Sequence, residues 1–327
     1  MKAIVIIRPG GAEALEIREV PTPEPLGDQL RVRVRACGLN RADLMQCRGY
    51  YPAPPGTPAD IPGLEYAGEV DAIGSGCIGP LKIGDRVFGI VGGGGEAEYL
   101  VTHERMAVPI PANLDFDQAA AVPEVFITAQ DALNTQARVR PGDSVLIHAV
   151  GSGVGTAALQ IAKAMGCTVF GTSRTPAKLR KAAGLGLDFG IETPNQDFVD
   201  VVLSNTQGQG VNVIIDLIGA PVFGENVKAL KTCGRLVVVG LLGGGTGSVN
   251  FADLMKKRLT VVGTTLRARP LEEKIAATRK FAETVVPWLG RGLVRPVVDQ
   301  IFAFGDVRNA QARLEANFGF GKVVLRV

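Results

Sequence analysis

Histidine and cysteine are scarce in this chain of 327 residues. It holds two histidines, His103 and His148, and five cysteines, Cys37, Cys47, Cys77, Cys167 and Cys233. The cysteines are scattered, odd in number and never spaced C-x-x-C. That argues against a disulfide framework and against a cysteine-built zinc lobe, and a reducing compartment, the cytoplasm, is expected. A charge excess is also missing: 35 Lys+Arg against 32 Asp+Glu leave a formal charge of +3. Such a balance sets up no field suited to nucleic acid or to a membrane surface. Long apolar runs are missing too. The opening MKAIVIIRPGG breaks at Arg8, too early for a signal peptide or a membrane span. Repeats of 20 to 50 residues are absent. Glycine is plentiful, with 42 residues at nearly twice the usual share of about 7%, yet no G-X-Y period marks collagen. Hydrophobic residues at 46% and charged residues at 20% exclude disorder.

The remaining pattern is that of an α/β protein with two domains. The first 118 residues are rich in strands and turns. AIVII opens a strand, and LRVRVRACG alternates apolar residues with arginine, as a strand with one wet face does. Prolines crowd between Pro52 and Pro80, and the YPAPPGTP stretch must be loop or edge. EYAGEVDAIG and IGDRVFGIV read as further short strands of a small barrel-like β domain. Near Gln118 the texture changes. FDQAAAVPEVFITAQDALNTQA reads as helix, capped at Asp115 or Asp117 and bent at Pro123. Apolar runs then alternate with helices: SVLIHAV, TAALQIAKAMG, CTVFGTS, PAKLRKAAGLG, VNVIIDLIG, GENVKALKTCG (helix), RLVVVGLLG and RLTVVGTTL. That alternation predicts a parallel sheet covered on both faces. A helix over LEEKIAATRKFAETVVPWL and short strands ending in GKVVLRV close the chain.

The strongest chemical signal is an apolar strand running into Gly151-Ser152-Gly153-Val154-Gly155 and out into an alanine-rich helix. The first glycines suit a tight turn and close approach of a ligand, and Gly155 lets helix and strand pack closely. The N–H groups of the helix start suit a pyrophosphate. The spacing is G-x-G-x-G rather than G-x-G-x-x-G, with Thr156 at the last position, and the strand–turn–helix context is what makes the motif informative. A ribose-binding acid belongs about 20 residues onward. No acid lies between Asp143 and Asp188; the place holds Ser173, Arg174 and Lys178. Those residues suit a 2′-phosphate, so NADPH is the expected cofactor.

Several strings together resemble the zinc-free quinone oxidoreductases of the medium-chain dehydrogenase/reductase superfamily, in particular the stress-inducible, zeta-crystallin-like NADPH:quinone oxidoreductases. They are LNRADLMQ and RGYY-P at 39–52, IPGLEYAGEV at 61–70, GGGGEAEY at 92–99, AAAVPEVFITA at 119–129, VLIHAVGSGVGTAALQIAK, GVNVIIDLIG, GRLVVVGLLGGG and GKVVLRV. The resemblance implies a GroES-like β-barrel catalytic domain over 1–118 and 267–327, and a Rossmann doubly wound parallel-sheet domain over 119–266 that binds NADPH in the cleft between them. It implies hydride transfer to a small quinone or an α,β-unsaturated carbonyl, and a homodimer paired through RLTVVGTTL. Enone, alkenal or enoyl-thioester reduction on the same scaffold is one alternative. An NADPH-binding protein with vestigial activity, structural or nucleic-acid-binding, is another, and the near-neutral charge counts against nucleic acid.

Zinc-containing relatives hold their metal with Cys, His and a second Cys. Matching those positions here puts Asn40, Leu64 and Glu124 in their place, a poor donor set, so no metal is expected. The resemblance places Asn40 near the nicotinamide or the substrate and Tyr51, with Tyr50 beside it, along the quinone. Thr128 falls at the nicotinamide carboxamide and Gly240, Leu241 and Leu242 along the nicotinamide face. Asn317 and Phe318 would close over the cofactor, and Arg267 would reach cofactor or substrate. Thr193 stands where close relatives carry a tyrosine near the ribose phosphate. Tyr51 or water is the expected proton source, since no His/Asp or carboxylate pair stands out. His148, inside an apolar strand, is expected to be structural.

Overall fold

The structure is a computed structural model and describes residues 1–193 and 195–327. β1 (Lys2–Ile6) and β2 (Leu15–Glu19) pair antiparallel in a ribbon of their own. β3 (Gln29–Gly38) buries Leu30, Val32 and Val34, as its alternation predicts. α1 (Arg41–Cys47) leads into the proline-rich YPAPPGTP stretch, which forms neither helix nor strand. β4 (Glu65–Ile73) pairs with β3, and on their wet face Arg31 and Arg35 meet Asp71 and Glu69 at 2.6 Å each. β5 (Arg86–Ile90), β6 (Tyr99–His103) and β7 (Val108–Pro109) come next.

The helix expected from residue 116 is broken. α2 (Phe116–Ala120) is capped by Asp115, whose carboxylate accepts from Gln118 N at 2.8 Å, and α3 (Pro123–Gln130) restarts at the proline. A π-helical turn over Asp131–Gln136 ends the run.

Strands and helices then alternate: β8 (Ser144–Ile147), α4 (Gly153–Ala164), β9 (Thr168–Ser173), α5 (Pro176–Ala183), β10 (Phe189–Glu192), α6 (Phe198–Asn205), β11 (Val211–Asp216), α7 (Phe223–Ala229), β12 (Leu230–Val238), α8 (Phe251–Lys257) and β13 (Thr260–Gly263), with β10, α6 and α8 additional to the segments read from the sequence. Here the structure differs from the sequence reading of GENVKALKTCG as one helix. α7 stops at Ala229, and LKTCG starts β12 because Leu230 is drawn fully into the core. The register shift opposite Val211 and Val213 and the left-handed Cys233 (φ 61°) absorb the misfit. α9 (Leu271–Thr284), α10 (Val286–Gly290), β14 (Val298–Ala303), α11 (Val307–Glu315) and β15 (Lys322–Arg326) complete the described chain. Sequence reading missed α1, β10, α6, α8 and α11.

Two units result. One comprises Met1–Ile127, Leu266–Gly292 and Pro296–Val327. Its seven-stranded sheet runs β14-β15-β3-β4-β5-β7 with β6 beside β3, around a core that includes Val32, Tyr66, Val87 and Leu325. α2 belongs here because it packs on β3 and β4, although its helical texture is that of the parallel-sheet unit. The other comprises Thr128–Thr265 and Leu293–Arg295. Its sheet is parallel throughout, in the order β10-β9-β8-β11-β12-β13. Counted from β8 this is the 3-2-1-4-5-6 order of a doubly wound sheet, whose direction reverses between β8 and β11.

Candidate functional site

In the parallel-sheet unit the glycine turn lies at the end of β8, beside the switch point. Its left-handed residue is Ala149 (φ 49°), whereas Gly151 and Gly153 have ordinary backbone angles. Gly155 is irreplaceable on geometry: a Cβ there would stand 2.5 Å from Ala149 O and 2.7 Å from Val150 Cα. Ser152 caps α4, its hydroxyl accepting from Gly155 N at 3.0 Å, and Val154 lies in the first turn, whose amides point out of the helix.

A buried polar chain fixes the three strand ends around this turn. Asp216 Oδ1 accepts from the N–H groups of Ile218 and Gly219, and its Oδ2 accepts from Asn226 Nδ2 at 3.1 Å. Asn226 therefore turns its oxygen to His148, so His148 Nε2 donates to it at 2.7 Å. His148 Nδ1 is then the acceptor for the Thr172 hydroxyl, at 2.9 Å. Burial holds His148 below the usual histidine range, in keeping with the neutral ring this chain needs.

Parallel pairing of β9 and β10 gathers the residues picked out for a phosphate. Ser173 ends β9, and its carbonyl accepts from Thr193 N at 3.0 Å. Arg174 is exposed and Lys178 half-buried on α5. The pairing also brings up an acid that the sequence reading did not place here. Glu192 is the register partner of Ser173, with its carboxylate accepting from Asn195 Nδ2 at 3.0 Å. Gly240 lies just past β12, its N–H donating to Asp216 O at 3.2 Å, and Leu241 and Leu242 after it are exposed. Thr128 is half-buried on α3.

In the β-rich unit, the structure assembles a charged cluster in the interior. Lys322, at the start of β15, donates to Leu39 O, Asn40 Oδ1 and Glu65 Oε1, each at 2.6 Å. Asn40 Nδ2 donates to the same Glu65 oxygen at 2.9 Å, and Glu65 Oε2 accepts from Glu124 N at 2.8 Å. Glu65 is completely buried and Lys322 nearly so. The close fit forbids a side chain at Gly38, where a Cβ would lie 2.4 Å from Glu65 Oε1 and 2.6 Å from Ala120 O. Asp43, in the first turn of α1, accepts from Asn40 N at 2.6 Å and Gly63 N at 3.2 Å. Burial raises Asp43 to about 6 against those two N–H groups and Lys322. Burial, then the negative charge of Glu65, pushes Glu124 up to about 8. Glu96 is wholly buried, and burial holds it well above the usual carboxylate range.

Nearby lies Arg267, the residue expected to reach cofactor or substrate. It is buried and committed to its own unit, donating to Gly92 O at 2.8 Å, Tyr51 O at 3.0 Å and Gln46 Oε1 at 2.5 Å. Its guanidinium lies 5.1 Å from the centre of the Tyr51 ring. Asn317 (φ 62°) and the exposed Phe318 lie just past α11, with Arg41 bonded to Asn317 Oδ1.

Sequence reasoning missed Glu65, Lys322, Asp43 and Glu96. The available signal was a charge set in an apolar or glycine run: IPGLEYAG, GKVVLRV and GGGGEAEY.

The strand order and glycine turn define a dinucleotide-binding unit, here carried with a β-rich unit in one chain. The alcohol dehydrogenase GroES-like domain model matches residues 27–112, and the zinc-binding dehydrogenase model matches residues 153–283. A quinone oxidoreductase of Pseudomonas aeruginosa is 35% identical, covering 97% of this chain and 96% of the relative. One of Rattus norvegicus is 31% identical, covering 99% and 97%. Among solved structures, an NAD-dependent alcohol dehydrogenase superposes with a TM-score of 0.89 at 33% identity, over 100% of both chains. A mycobacterial protein complexed with NADPH superposes at 0.88 and 26% identity, also over 100% of both. The chain belongs to the medium-chain dehydrogenase/reductase superfamily and is a nicotinamide-dependent oxidoreductase.

The second family model carries zinc in its description, but the donors here do not fit that ion. Leu64 offers none, Asn40 already holds the ammonium of Lys322, and burial keeps a proton on Glu124 by pushing it up to about 8. Among the described residues no group of three or more His, Cys, Asp or Glu side chains could hold a metal, and no helix is long and apolar enough to cross a membrane. A nicotinamide dinucleotide does fit: Gly155 leaves room for the turn to close on α4, and the exposed cation Arg174 stands at the end of β9.

Proposed function

We propose that this chain is an NADPH-dependent, zinc-independent reductase of small quinones, acting also on α,β-unsaturated carbonyls. The observation that carries the reading is Lys322. Its ammonium, bound to Asn40 and Glu65, supplies a fixed positive charge at the place matched to a metal position, within a chain related over nearly its whole length to quinone oxidoreductases. Bound cofactor supplies a hydride. Gly151, Ser152, Gly153, Val154 and Gly155 hold its pyrophosphate, and Ser173, Arg174, Lys178 and Thr193 its ribose phosphate. Asn40, Thr128, Gly240, Leu241 and Leu242 lie along the nicotinamide, and Asn317 and Phe318 cover it. Tyr51 stacks on the acceptor and, with water, supplies the proton that completes the hydroquinone. Positioning and water exclusion account for most of the rate.

A second copy pairs through β13, the edge of the parallel sheet, where Val261 is 41% exposed. The five cysteines are unpaired, which supports a cytoplasmic setting.

The test is steady-state oxidation of NADPH and NADH against a panel of quinones and enones, with and without a metal chelator. The reading expects NADPH to be preferred, quinones turned over and the chelator without effect. Arg174→Ala with Lys178→Ala should raise KM for NADPH and leave NADH unchanged; an unchanged NADPH KM refutes the phosphate assignment. Light scattering at micromolar concentration tests the dimer.

A further inference from the structure

We propose that Arg267 is a positioning residue: it fixes the Tyr51 ring and the 51–59 loop, and so selects which planar acceptors fit. The proposal rests on the reading of Tyr51 as lining the acceptor.

Three observations carry it. Arg267 is 5% exposed, yet its acceptors Gly92 O, Tyr51 O and Gln46 Oε1 are all neutral. Among the described residues it forms no ion pair. Burying a charge is costly, so this cation is held by geometry at three neutral acceptors, with the carboxyl groups of Asp43 and Glu124 favouring its charge from beyond ion-pair distance. Second, the same group lies over the Tyr51 ring at 5.1 Å, so the carbonyl and the ring of one residue are gripped together. Third, Gln46 continues the grip, its Nε2 donating to Ala59 O at 3.0 Å. Both ends of the loop are therefore tied to one cation. Between them lie Pro52, Pro54, Pro55 and Pro58, whose rings fix φ, and Thr57 Oγ1 donates to Pro54 O at 2.7 Å. A stiff segment with both ends fixed has little freedom left, and its place is set by Arg267.

A lysine keeps the charge but not the planar fork that reaches three acceptors at once. The experiment uses the full-length chain with NADPH and three acceptors: 1,4-benzoquinone, the two-ring 1,4-naphthoquinone and an acyclic enone. Arg267→Lys and Arg267→Gln are expected to raise KM for naphthoquinone by about tenfold, with less effect on the enone and cofactor Kd unchanged within about twofold. Added guanidinium ion should restore part of the loss in Arg267→Gln. In a Tyr51→Ala background the Arg267 substitutions should cost nothing further, because the group they position is gone. Additive losses in that background, or a cofactor Kd that weakens in step with acceptor KM, would overturn the proposal. If Tyr51→Ala changes no acceptor KM, the Tyr51 reading falls and this proposal with it. If Tyr51→Ala acts and both Arg267 variants are silent, this proposal alone falls. Arg267→Lys carries the test should Arg267→Gln not fold.

Discussion

Replacing Lys322 by methionine removes a buried ammonium while keeping the volume of its stem. The partner carboxylate of Glu65 is completely buried and loses its 2.6 Å ion pair, while Asn40 Oδ1 and Leu39 O each lose a donor. Breaking a buried pair from one side costs about 3–5 kcal/mol, because a charge remains behind without a partner. Urea slopes run up to about 3 kcal/mol per molar, so the unfolding midpoint should fall by roughly 1–2 M. Fluorescence suits the assay, since the one tryptophan, Trp288, lies in α10 of the same unit. The decisive comparison is the double variant Lys322→Met/Glu65→Gln, which removes the orphaned charge and should regain most of the loss. A midpoint shift under about 0.3 M, or a double variant no better than the single, would refute the argument that this pair is a buried, mutually dependent ion pair.

Other consequences can be measured with the same tools. Glu124, pushed up to about 8, keeps its proton in the folded chain where the unfolded chain, near 4.5, has released it. Stability should therefore decline with rising pH from about 4.5 to about 8 on its account, and Glu124→Gln should flatten that slope. His148 works in the other direction: buried neutral, it is protonated in the unfolded chain first, so stability should fall as pH drops below about 6.5, and His148→Gln should remove that acid sensitivity. Gly155→Ala places a methyl 2.5 Å from Ala149 O and should cost about 1–3 kcal/mol in thermal unfolding and abolish dinucleotide uptake in calorimetry. A normal cofactor titration for that variant would show the turn can move aside.

Much of the architecture was legible because it arises from local chemistry. The alternation of β3, the apolar runs of the parallel sheet and the Gly151–Gly155 turn each answer to a period or to a backbone need, and these act within a few residues. The cap at Asp115 and the restart at Pro123 are of the same kind. Where local signals competed with burial, sequence alone erred, as at LKTCG, whose Leu230 was taken by the sheet. The charged interior was not legible at all. Glu65 and Lys322 lie far apart in the chain, and Arg267 is remote from both Tyr51 and Gly92; nothing in any of their neighbourhoods states a partner. Sequence by itself determined the alternating strand β3, most strands of the parallel sheet and where a dinucleotide turn sits, since those are short-range constraints. Only tertiary structure decided that Lys322 sits against Asn40 and Glu65 and that Arg267 grips Tyr51, because desolvation makes a buried charge find its partners across whatever stretch of chain the fold brings near.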